Sequence, residues 1–520
     1  MKKIKSLILS LVIMCILILQ GCGAEKVNEE LKDEGKTNER KTSVLRLEGG
    51  DWGNLTPYSH YSRGPGAYKM RLIFDSLLER DENGLIPWLA EKYDISPDGK
   101  EYTFTLKNNV KWHDGKELTA EDVKFSLEYF EKNPPVSDSL NIEGKSFVKK
   151  AEVLDKNKIK IIVEKENSTV LDRFADIRII PKHIWEKVED PIAFNTSEAL
   201  IGCGPYKLEQ YNKEQGAYKF TAFNEYWGPK PRVDALEFIP VSDSVLAFDK
   251  GEIDIANITP DIITKYEKNQ EFVVKTNPAF WGYRLAFNME KRPELKSKEL
   301  RQGISYAINK QELIDKVARG AGKIASPGYL PVDHIWYNKD IKQYDCDTEK
   351  AKELLNNQKY SFTLLISNSK PELRIAELIK IDLEKVGIDL NIKSVDMKTR
   401  DAAVKSGDYE MILNGHGGWG NDADLLRKMY SSNGKFSSIP GYSNEEINKL
   451  CKKQLSEINE ESRKEIVFQL QKEIAEELPQ IPLYNTTEYT VYRPEKYDGW
   501  KYMFNHHSLT HNKLSYLDVK

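Results

Sequence analysis

Hydrophobic positions recur along this chain with two alternating periods. Val44-Leu45-Arg46-Leu47 reads as a first strand, and Tyr102, Phe104 and Leu106 occupy every second position, as one face of a strand does. Helical spacing follows. Thr119 stands three residues before Asp122, a capping-box-like start for a helix through Tyr129. Asn309 caps another helix, with Glu312 at its third position and Gly320 to close it. Pro371 opens a third, whose Leu373, Ala376, Leu378, Ile379, Leu383 and Val386 trace one stripe. Gly387 ends that helix, and Ile388, Leu390 and Ile392 alternate as the next strand. Repeated units of this kind predict α/β lobes with covered sheets. A chain of 520 residues exceeds one ordinary hydrophobic core, so more than one lobe is expected.

The N-terminus breaks the pattern. Lys2, Lys3 and Lys5 precede an almost unbroken apolar run from Leu7 to Leu19. The run is shorter than the roughly 20 residues a bilayer span needs, and its flanks are those of a secretory signal. Leu19-Gln20-Gly21-Cys22 resembles a bacterial lipobox, which predicts a signal peptide over 1–21 and acylation of Cys22. Residues 22–42 are charged and polar and cannot bury enough surface to fold, so they read as a flexible stalk. The formal charge of −4 falls to −7 without the first 21 residues, which argues against a nucleic-acid partner. Beyond Cys15 and Cys22, three cysteines remain: Cys203, Cys346 and Cys451. They show no CxxC and no metal-ligand spacing, and buried free thiols are the expectation. No phosphate loop, zinc helix or nucleophile elbow is present, and no cofactor is implied.

One long run carries a family resemblance. It begins Leu85-Ile86-Pro87-Trp88-Leu89-Ala90-Glu91-Lys92-Tyr93 and continues through Ser96-Pro97-Asp98-Gly99-Lys100 and Val110-Lys111-Trp112-His113-Asp114-Gly115 to Leu118-Thr119-Ala120-Glu121-Asp122-Val123. Gly204-Pro205-Tyr206, Asn224-Glu225-Tyr226-Trp227-Gly228, Leu285-Ala286-Phe287-Asn288 and Ile481-Pro482-Leu483-Tyr484 follow in order. Together these resemble the family 5 extracellular solute-binding proteins, which include oligopeptide, dipeptide and nickel carriers. The resemblance implies a periplasmic-binding-protein-like α/β fold, pear-shaped, with two hinged lobes and an additional one. It places lobe I at 43–82, 200–285 and 490–520, lobe II at 83–199, and lobe III at 286–489. It also implies a monomer that carries solute to a membrane permease of an ABC importer, tethered by its lipid, and not an enzyme. His113 beside Asp114 accordingly reads as part of a family turn and not as a catalytic pair.

Candidate ligand contacts centre on Asn414-Gly415-His416-Gly417-Gly418-Trp419-Gly420-Asn421-Asp422-Ala423-Asp424. The glycines allow close backbone approach, the tryptophan offers a flat wall, and the carboxylates can oppose a cation. In peptide carriers an aspartate shortly after this tryptophan pairs with the ligand's ammonium, which points to Asp422. Laid instead on the Asp-Pro-Asp of some relatives, Asp422 and Asp424 lose that role and become helix-capping groups. Tyr61 and Arg63 lie in an opening loop that lines the cleft in the family, Arg63 as a carboxylate partner. Trp281 or Tyr283 would close over the ligand. His416 is the one candidate for a nickel or metallophore alternative. A receptor for a peptide signal, not coupled to import, is the remaining alternative.

Overall fold

The structure is a computed structural model that describes residues 43–59, 65–136, 140–142, 144–416, 422–432, 434, 439–503, 506 and 508–519. The expected signal peptide, stalk and Cys22 lie outside the described residues, as do Tyr61, Arg63, Trp419, Asn421 and the His416 side chain. Residues 42–520 form one compact unit. No helix among the described residues is long and apolar enough to cross a membrane.

The chain begins with β1 (Val44–Glu48), where Leu45 and Leu47 point inward. A short helix, α1 (Pro65–Met70), follows. An antiparallel sheet then forms from β2 (Ala90–Ile95), β3 (Glu101–Leu106), β4 (Val148–Asp155) and β5 (Lys158–Val163), in the order β2-β3-β5-β4. The expected capping box is present at α2 (Ala120–Lys132). The Asp122 carboxylate accepts the Thr119 backbone N–H at 2.8 Å. Helix α3 (Val170–Asp176) closes this region. Strands β6 (Tyr206–Asn212), β7 (Ala217–Ala222) and β8 (Ala235–Ile239) return to β1 in the order β1-β8-β7-β6.

Two sequence motifs meet at this junction. The backbone N–H of Gly202 donates to His113 Nδ1 (3.3 Å), so Nε2 carries the proton and donates to Gly204 O (3.0 Å). A Cβ on Gly202 would lie 1.9 Å from Ile73 O, and one on Gly204 2.4 Å from Leu72 O, so only glycine fits either position. Burial holds the His113 imidazole neutral, its pKa lowered to about 4. His113 is a structural hydrogen-bonder.

Strands β9 (Ile255–Ile258) and β10 (Val273–Thr276) lead out of the first body. The second body is a six-stranded sheet built from β11 (Trp281–Phe287), β12 (Gly322–Ile324), β13 (Tyr360–Ser367), β14 (Ile388–Val395), β15 (Met411–His416) and β16 (Gln480–Thr486). Its order is β12-β16-β11-β15-β13-β14. Strand β11 is central and buried at every position from Gly282 to Phe287, as a strand covered on both faces must be. Among its helices, α4 (Lys310–Val317) is capped by Asn309 and ends before the expected Gly320, whose N–H still reaches back to Ile314 O at 3.1 Å. Helix α5 (Lys370–Glu384) buries the predicted stripe, with Leu373 only half covered. Helices α6 (Leu425–Tyr430), α7 (Glu445–Ser456) and α8 (Glu460–Glu477) complete this body. Strand β17 (Tyr489–Tyr492) returns between β9 and β10.

Hydrophobic side chains gather into two large clusters. One takes in Leu45 to Phe238 and closes with Ile255 and Tyr492 to Tyr516, and the other runs from Phe280 to Tyr484. The sheet β2–β5 shares the first cluster, so the stretch expected as lobe II has its own sheet but not its own core. All three cysteines are unpaired. Cys203 and Cys451 are buried as expected, whereas Cys346 departs from that expectation and is exposed.

Candidate ligand cleft

Two segments join the bodies, residues 277–280 and 487–488. They are tied side by side: Asn277 donates from its backbone N–H to Glu488 O and from Nδ2 to Thr490 Oγ1, each at 2.8 Å. Two adjacent extended crossings have the form a hinge needs, because a few backbone torsions can swing one packed core against the other. Beside them lies a cavity of about 60 Å³ lined by Leu47, Glu48, Phe238, Asn257, Thr490 and Ser508, among others. Its lining residues all belong to the first body, and at about 30 Å³ per water it has room for about two waters.

Far from the hinge in sequence, the bodies touch again. Ser168, just before α3, donates its N–H to Leu455 O (2.8 Å) and its hydroxyl to Gln454 O (3.0 Å) at the end of α7. Behind Ser168, the fully buried Arg80 grips Asp172 (2.7 Å) and Asp176 (2.8 Å) on α3. Facing them from the second body, Arg463 forks onto both oxygens of Asp422 at 2.7 and 2.5 Å. Gln454 links this pair to Asp424, accepting from Arg463 Nη2 (2.9 Å) and donating to Asp424 Oδ1 (2.8 Å). Burial raises the Asp172 pKa, and the Asp422 charge across the gap adds to the rise. Burial also opposes the Asp422 carboxylate, but the Arg463 guanidinium overcomes it and holds that pKa below the ordinary value. The two bodies therefore meet here through the Ser168 hydrogen bonds, with a charged cluster on each side.

A family model described as bacterial extracellular solute-binding proteins, family 5 Middle, matches residues 84–438. The chain belongs to this family. The dipeptide-binding protein of Escherichia coli (strain K12) is 29% identical over 376 residues, 65% of this chain and 69% of that protein. Di/tripeptide-binding protein 3 of Pseudomonas aeruginosa is 28% identical over 463 residues, 81% of this chain and 85% of that one. Among solved structures, the ABC transporter substrate-binding protein CtaP of Listeria monocytogenes is 28% identical, with a TM-score of 0.76 over 87% of this chain and 94% of its own. The fold is the periplasmic-binding-protein-like α/β fold of family 5.

The candidate contacts of this family 5 chain separate into distinct settings. Trp281, 36% exposed, opens β11 with its ring over the α-carbon of Gly415 and edge-on to Tyr283 at 4.7 Å. Tyr283 is buried between Trp281 and Tyr484. The backbone of His416 pairs with Gly282, which puts Trp281 at the end of the β11–β15 pairing. Asp424 is buried and bonded to Arg427 (2.6 and 2.8 Å) as well as Gln454, which draws both its oxygens into the second body. Asp422 is bonded to Arg463 and accepts the Asp424 backbone N–H at 2.7 Å, whereas the Asp424 side chain makes no capping hydrogen bond to α6. Arg463 and Gln454, which set that bonding, carried no signal in the sequence.

Proposed function

We propose that this chain is the extracytoplasmic, lipid-anchored solute-capturing component of an ABC importer, taking a peptide or small amine-bearing solute between its two bodies. The observation that carries this reading is a hinged pair of cores in a chain whose long relatives bind dipeptides and tripeptides. Solute contacting both bodies favours the shut form, in which Ser168 reaches Leu455. Trp281 supplies a flat exposed wall, and Trp419, Asn421, Tyr61 and Arg63 add contacts from the loops beside β15 and α1. Glu48, exposed on the cavity wall and without an ion-pair partner among the described residues, takes the solute's ammonium, because Asp422 is occupied. Lobes I and II move together on their shared core while lobe III closes on them, with the boundaries given above except that 281–285, in β11, go with lobe III. Cys22 is acylated and holds a monomer at the membrane, where a permease receives the solute.

A thermal-shift panel of alanine peptides and nickel chelates tests this. A peptide at 100 times its Kd is expected to add about 2.7 kcal/mol of stability. Stabilisation by a nickel chelate and by no peptide would overturn the peptide reading in favour of a metal complex. Replacing Cys22 with serine is expected to release the protein from the membrane fraction.

A further inference from the structure

Arg284 lies on the central strand β11, 93% buried, and has no hydrogen-bond or ion-pair partner among the described residues. Its Nε and Nη1 are sealed from solvent without an acceptor. The guanidinium lies over the ring of Tyr329, 5.4 Å from its centroid, and Tyr430 packs edge-on against that ring at 5.2 Å. The Tyr430 hydroxyl is also buried without a partner. Asn414, directly across from Arg284 on β15, keeps its side-chain amide unbonded among the described residues. Tyr329 itself holds φ at +81°, a strained conformation for a bulky residue.

An unpaired buried guanidinium is among the costliest groups a fold can carry, and removing it would ordinarily stabilise the protein. Burial depresses even its pKa, to about 10, and the groups acting on it are tyrosines with no carboxylate among them. Asn414 lies beside Arg284 on the neighbouring strand, and Tyr430, the last residue of α6, packs on the Tyr329 ring that the guanidinium covers. A planar anion with two oxygens matches the guanidinium fork, and the Tyr430 hydroxyl and Asn414 amide add further donors.

We propose that Arg284, with Asn414 and Tyr430, is a carboxylate-receiving subsite in the second body, filled by the carboxylate of the captured solute. This rests on the carrier reading for the identity of the solute but not for the existence of the anion site. The tests are Arg284→Met, Arg284→Lys and Tyr430→Phe, titrated with alanine dipeptide to pentapeptide in free-acid and C-amidated forms, and with acetate and formate. The wild type is expected to bind the free acid at least thirty-fold more tightly than the amide. Arg284→Met should lose that preference while its unliganded form melts higher, and Arg284→Lys should recover only part of it. Tyr430→Phe should weaken the acid alone. An unchanged acid-over-amide preference in Arg284→Met overturns the subsite while leaving a peptide carrier standing. If no peptide binds the wild type, an Arg284-dependent rise in melting temperature with acetate or formate supports the subsite for a free anion and sinks the peptide reading. Silence of the wild type towards peptides, acetate and formate alike overturns the subsite.

Discussion

Asp422 shows how one partner changes the meaning of a residue. Its spacing from Trp419 suggests a carboxylate awaiting an ammonium, yet Arg463, forty-one positions on, occupies both its oxygens. Breaking a buried pair leaves the other charge stranded, so Asp422→Asn is expected to cost roughly 2–4 kcal/mol, read as a fall in the urea midpoint. Peptides with free and with acetylated N-termini should lose affinity to the same degree. A loss confined to the free amine would return Asp422 to the ligand. Lys69 gives a second test at this scale. It is buried over Phe238, 4.4 Å from the ring centroid, with no ion-pair partner among the described residues, and burial lowers its pKa to about 7. Between about pH 7 and 10.5 the unfolded chain holds this proton and the folded one does not, so stability rises with pH across that window. Below pH 7 the charged form is present in both states and the full penalty, on the order of 4 kcal/mol, applies. Lys69→Met should therefore gain most stability below pH 7, the gain shrinking towards pH 10 in denaturant melts. Neither Arg463 nor the isolation of Lys69 is visible in the sequence, because both depend on which distant segments fold alongside.

At the scale of elements, local chemistry was legible wherever a helix could be read from its own ends. Thr119 with Asp122, Asn309 with Glu312, and Pro371 with Gly387 each mark a real terminus, since capping is settled within a few residues. Strands were less so. Tyr409 shares the alternation of Met411 and Leu413 yet precedes the strand, and β11 shows no alternation because both of its faces are covered. The contact between α3 and α7 joins elements nearly three hundred residues apart and left no trace in local pattern. It makes a prediction of its own. A net hydrogen bond is worth about 0.5–1.5 kcal/mol, so losing the Ser168 hydroxyl should weaken closure by about two- to twelve-fold. Ser168→Ala is expected to raise Kd by that factor in titration calorimetry, mainly through faster release. An unchanged Kd would mean that the bound form does not make this contact.

For the whole molecule, the decisive feature is that hydrophobic burial is divided between two clusters joined by two short crossings. That one ordinary core would not hold the chain was legible from its length, but the sharing of one core by the sheets of the first body was not, since it arises from packing between segments over a hundred residues apart. The ties between the bodies away from the crossings include Ser168 with residues 454–455 and the exposed pair Arg319–Asp261 at 2.6 Å. Exposed pairs contribute at most about 1 kcal/mol, far less than the 5–15 kcal/mol that holds a typical core together. Ligand-free protein should therefore unfold as two weakly coupled units, with a van't Hoff enthalpy well below the calorimetric one. A solute gripping both bodies adds its binding energy to the tie, so saturating ligand should draw the two enthalpies together as well as raise the melting temperature. Equal enthalpies in the ligand-free protein would mean that closure is already cooperative with folding. The Ser168 contact would then belong to a rigid interface and not to a door.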